Sequence, residues 1–170
     1  MNNLDKFFCN DVKHFSELYF NYLSKIFKEI NYKDIEIFSK ELIKSRNISS
    51  NIFFIGNGGS ASTASHFAND IAVGSKSLEK PFKALSLTDN QAIITAIGND
   101  YGYEYIFVKQ LQIYAKKNDL LVSISASGNS ENLVKAIKYC NSEGIKTLSL
   151  TSFDGGILKE ISNFNLHIPT

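Results

Sequence analysis

From residue 51 onward, short apolar runs alternate with segments of helical periodicity, and that alternation leaves few folds open. Strands are predicted at 51–55, 83–87, 119–124, 146–150 and 164–168, and helices at 60–73, 89–97, 103–116, 129–143 and 156–162. A strand that faces solvent on one side alternates apolar with polar residues. Ile52-Phe53-Phe54-Ile55 does not alternate, so both of its faces must be covered. Strands buried on both faces and joined through helices form a parallel sheet with helices on either side. The strand C-terminal ends then share one edge, where α/β proteins place their ligands.

Two turns on that edge stand out. Gly56-Asn57-Gly58-Gly59-Ser60 follows the first strand, and Ser125-Ala126-Ser127-Gly128-Asn129-Ser130 follows the third. A turn that opens a helix presents unpaired N–H groups at the positive end of the helix dipole. Glycine admits close approach of a ligand and serine adds donors, so each turn is a candidate anion site. The pair suits a ligand with a phosphate at one end and hydroxyls along its length. Ala61 follows where GxGxxG needs its last glycine, and no Walker lysine is present. A dinucleotide, flavin or other nucleotide cofactor is therefore not expected. Ser60 is expected to cap the helix after the first turn, and Asp89 the helix after the second strand.

On the helix after the first turn, His66 and Asp70 stand at i and i+4, on one face. Such a pair can exchange protons as acid and base, bind a metal, or simply close a helix face. Gly98-Asn99-Asp100-Tyr101-Gly102 reads as a polar break carrying an amide and a carboxylate.

The first 30 or so residues read as one long helix. Phe8, Val12, Phe15, Tyr19, Tyr22 and Ile26 make one apolar stripe, and Phe20, Leu23, Phe27 and Ile30 another beside it. A helix apolar over so much of its surface is expected to lie between subunits. A second helix is predicted from Lys33 to about Arg46. Residues 1–50 thus read as a helical segment serving oligomerisation, ahead of a single α/β domain over 51–170. A net charge of +1 in 170 residues gives no nucleic-acid or membrane signal. Asn51–Asn69 is a long stretch without Asp, Glu, Lys or Arg, but its Gly, Ser and Asn exclude a membrane span. Cys9 and Cys140 form no paired motif and are expected as free, buried thiols of a cytoplasmic protein.

Four blocks, in order, resemble the sugar isomerase (SIS) domain and, within it, the phosphoheptose isomerases: Gly56–Ser60, Ala64-Ser65-His66-Phe67-Ala68, Ala96–Gly102 and Ile124–Ser130. The resemblance covers nearly the whole chain. It implies a five-stranded flavodoxin-like sheet, a homotetramer with the N-terminal helices in a central bundle, and conversion of sedoheptulose 7-phosphate to D-glycero-D-manno-heptose 7-phosphate for heptose-containing surface glycans. It also implies that Ser125, Ser127 and Ser130 hold the phosphate, with backbone of that turn including Ala126. Asn57, Gly58 and Gly59, with Ser60 beside them, and Asn99 and Asp100 would meet the sugar. His66 and Asp70 would be catalytic, or zinc ligands in the members that bind zinc.

The chain departs from the family at three places. Asp70 stands where a glutamate is usual, and Ala126 replaces a threonine. The family's final helix, with its Gln and His, does not follow Thr170, and a shortened sequence is the expected cause. His167 lies in the last predicted strand and is not given the missing role. The alternative reading is a non-catalytic sugar-phosphate-binding or regulatory SIS protein.

Overall fold

The structure is a computed structural model, and it describes residues 3–76 and 79–170. Its centre is a five-stranded sheet in the order β2-β1-β3-β4-β5, every neighbouring pair parallel. The strands are β1 (Asn51–Gly56), β2 (Lys83–Ser86), β3 (Leu120–Ser125), β4 (Lys146–Thr151) and β5 (Phe164–His167). Each lies within a residue or so of its predicted position, and the apolar runs of β1 and β3 reflect their burial on both faces.

Alternation along β1 divides the core. Phe53 and Ile55 face a layer built from α4 (Gln91–Asp100), α5 (Ile106–Tyr114) and α6 (Glu131–Ser142). Ile52 and Phe54 face Phe38 and Leu42 of α2 (Tyr32–Asn47) and Ala64 and Ala68 of α3 (Gly59–Asn69). All four β1 side chains are essentially inaccessible to water, which stabilises the fold by about 2 kcal/mol each. At the opposite, N-terminal edge, buried Asp119 ties the start of β3 to β1. Its Oδ1 accepts from Asn51 N at 2.8 Å, and its Oδ2 accepts from Asn51 Nδ2 at 3.1 Å and Lys116 N at 3.0 Å.

The N-terminus corrects one expectation. A short 3₁₀ turn, Asn3–Lys6, precedes α1 (Val12–Glu29), so the first 30 residues are not one helix; Met1 and Asn2 lie outside the described residues. Asp11 stops any continuation by capping α1, its Oδ1 accepting from Lys13 N at 3.0 Å and His14 N at 3.1 Å. Phe7 folds back onto α1, its ring 5.1 Å from that of Tyr22. Ile26 is buried, whereas Val12, Phe20 and Phe27 are exposed.

Other boundaries shift by tertiary context. Helix α3 passes into a wide π turn, Asp70–Gly74. Helix α4 runs on through Asn99 and Asp100, so the break narrows to Tyr101 and Gly102, and a 3₁₀ turn, Tyr103–Tyr105, leads into α5. Both cysteines are free; Cys140 is buried, but Cys9 is only half-buried. Among the described residues no helix is long and apolar enough to cross a membrane.

Candidate active site

Strands β1 and β3 are neighbours at the point where strand order reverses, with β2 on one side and β4 on the other. Crossovers on opposite faces leave a crevice there, outside the strand C-terminal ends. The two glycine-serine turns leave β1 and β3 at that crevice, just past the pairing of Gly56 with Ile124.

The first turn is bent by Gly58, whose φ of +54° is a left-handed conformation that suits glycine. Gly58 occupies the cap position of α3 and no side chain caps the helix, so Ser60 does not play the expected capping part. Its N–H instead donates to Asn57 O at 3.0 Å. In the second turn Ser125 Oγ accepts from Gly128 N at 3.1 Å and Ser127 Oγ from Asn129 N at 3.4 Å. Ser130 stands at the cap position of α6 without a side-chain cap bond.

Gly128 has φ +66°, and a Cβ there would lie 1.9 Å from Gly155 O. This close approach seats the second turn on the start of α7 (Gly156–Ile161). Leu158 N donates to Gly128 O at 2.9 Å, and Ile157 N to Asn129 Oδ1 at 3.0 Å. Ser152 N donates to Ala126 O at 3.0 Å.

Two residues that sequence reasoning missed join the turns. Asn57 Nδ2 donates to Asn132 Oδ1 and Asn132 Nδ2 donates to Asn57 Oδ1, both at 2.9 Å. Tyr103 Oη donates to the same Asn57 Oδ1 at 3.0 Å. An open cleft of ≈ 360 Å³ is lined here by Asn57, Tyr103, Glu104, Ser130, Glu131 and Asn132. Beside it, Lys135 bonds Glu131 at 3.3 Å, which raises the pKa of its ammonium, and lies over the Tyr105 ring.

His66 and Asp70 do meet, Nε2 to Oδ2 at 3.0 Å, with side chains 75% and 58% exposed. They do not line the cleft between the turns. Nor do Asn99 and Asp100, which bond one another at 2.8 Å at the end of α4. The neighbouring Ser65 fixes the helix that carries His66. Its hydroxyl meets Thr88 Oγ1 at 2.9 Å and donates to Asp89. Asp89 is thus engaged with α3, and the expected cap of α4 is Asn90 instead, accepting from Ile93 N at 3.1 Å.

For zinc, His66 and Asp70 supply fewer ligands than the ion takes. No cluster of three or more His, Cys, Asp or Glu side chains that could hold a metal occurs among the described residues. The pair alone therefore does not fit a zinc site.

Sheet order, two glycine-serine turns at the switch point and a His-carboxylate pair on the helix after the first define an α/β domain whose ligand edge lies at the strand C-terminal ends. Comparison with known proteins gives the family. The family model of the SIS domain matches residues 18–152, and the chain belongs to that family. It is 44% identical over 129 residues to a phosphoheptose isomerase of Helicobacter pylori (strain Shi470), spanning 76% of this chain and 67% of the relative. With the phosphoheptose isomerase of Aliarcobacter butzleri it shares 39% identity over 142 residues, 84% of this chain and 75% of the relative. A solved phosphoheptose isomerase from Francisella tularensis superposes with a TM-score of 0.81 at 29% identity, covering 100% of this chain and 87% of that one.

Proposed function

We propose that the chain is a phosphosugar isomerase that interconverts sedoheptulose 7-phosphate and D-glycero-D-manno-heptose 7-phosphate, supplying heptose for surface glycans from the cytoplasm. The observation that carries this reading is the joining of both turns at the β1/β3 switch point, with the His66–Asp70 pair on the helix opened by the first. Ser125, Ser127, Ser130, the backbone through Ala126 and the N-terminus of α6 hold the phosphate. Asn57, Gly58, Gly59 and Ser60, with Asn99 and Asp100, meet the hydroxyls.

Isomerisation moves a proton between C1 and C2 through an enediol. The Asp70 carboxylate removes the C1 proton of the ketose and returns it to C2, while a proton passes between O2 and O1. His66 donates to Asp70 and holds the carboxylate in one orientation. A homotetramer completes the reading, supported by the exposed Val12, Phe20 and Phe27 along α1.

The test is proton exchange at C1 and C2 of sedoheptulose 7-phosphate in D₂O, followed by NMR. Solvent deuterium entering at those carbons is the expected result. Absence of exchange at saturating substrate, with binding retained, would favour the non-catalytic sugar-phosphate-binding alternative. That alternative draws on the exposure of His66 and Asp70 outside the cleft.

A further inference from the structure

Backbone pairing between β1 and β3 ends at Gly56 and Ile124, and beyond it the two chains part into their turns. Side chains continue the connection. Asn132, only 2% exposed, lies in the first turn of α6 and faces Asn57 across the crevice. Their amides pair reciprocally, and the Tyr103 hydroxyl takes the remaining acceptor position on Asn57 Oδ1. Tyr103 comes just after the Tyr101-Gly102 break that ends the helix bearing Asn99 and Asp100, so one amide receives bonds from two other segments: the second turn's helix and this connector.

We propose that Asn132 and Tyr103 are positioning residues that act through Asn57, fixing the distance between the phosphate turn and the sugar end of the pocket and so selecting ligands by length. The proposal rests on the isomerase reading for its substrate but on the three hydrogen bonds for its geometry. A pocket of set length favours a seven-carbon ketose phosphate over a six-carbon one. A pocket whose ends can shift relative to each other discriminates less.

Tyr103→Phe is the informative variant, because Tyr103 is 59% exposed and loses only its hydroxyl. One lost hydrogen bond corresponds to about a threefold to tenfold change. In kinetics with seven-carbon and six-carbon ketose phosphates, the ratio of kcat/KM values is expected to fall by about that factor. Asn132→Ala should lower it further, and the double variant no further than Asn132→Ala alone, since both act on one amide. An unchanged ratio in Tyr103→Phe, or fully additive effects, would overturn the proposal. Hydrogen exchange of residues 125–130 in the free protein gives a second readout. Tyr103→Phe should speed it, although position 103 lies in a separate segment. If the parent protein neither binds nor turns over sugar phosphates, the isomerase reading fails while this exchange measurement still decides the geometry: unchanged exchange sinks it.

Discussion

At the scale of single residues, the site rests on a few positions where backbone shape and side-chain chemistry are both constrained. Gly128 is the most restricted. Its left-handed φ and the 1.9 Å approach of a built Cβ to Gly155 O leave no room for a side chain. Gly128→Ala is expected to cost about 2 kcal/mol or more, read as a lower urea midpoint, and to weaken sugar-phosphate binding with it. Asp70 makes the opposite case: exposed and at the end of α3, it contributes little to folding. Asp70→Asn should leave the urea midpoint where it is and reduce turnover by about a hundredfold or more, as loss of a catalytic base does. A variant that retained most of its activity would move the base elsewhere, with Glu104 in the cleft the first position to examine.

Elements show how far sequence reading reaches. Strands β1 and β3 were legible because burial on both faces leaves an apolar run, β2, β4 and β5 from their place between helical segments, and the turns because glycine and serine cluster where backbone meets ligand. Asn132 and Tyr103 were not legible. Their partner Asn57 is 75 and 46 residues away, and an asparagine early in a helix looks locally like any other polar residue. The break before α1 was hidden for a similar reason, since it depends on Phe7 finding the Tyr22 ring. Local rules made Ser60 and Asp89 caps, but Gly58 takes the cap position of α3, and Ser65 of α3 draws Asp89 away from α4. Strand β5 carries its own pH dependence. His167 bonds Thr151 Oγ1 at 3.2 Å, and burial, reinforced by Lys159, lowers its pKa below 6.5. Above that value both folded and unfolded forms are neutral there. As pH falls through it the unfolded chain takes up the proton first, so stability drops. Urea midpoints measured between pH 8 and pH 5 should fall, and His167→Gln should flatten that part of the curve.

At the scale of the whole molecule, α1 carries apolar side chains that the single chain leaves uncovered. Val12, Phe20 and Phe27 project from α1 into solvent. In the tetramer we propose, they lie between subunits, and replacing Phe20 and Phe27 together with glutamate should yield smaller species by light scattering. A variant eluting with the mass of the parent would remove α1 from the interface. Chemical reactivity separates the two thiols: burial pushes Cys140 up to about 12, so a thiol reagent should label half-buried Cys9 and spare Cys140 until the chain unfolds. The placement of both turns on β1 and β3 reaches beyond binding. These strands are flanked on either side, whereas β2 and β5 form the rims of the sheet. Rims can fray and reclose while the centre stays intact. A ligand seated on the central pair is therefore insulated from such local openings, and what it protects is the last part of the molecule to come apart.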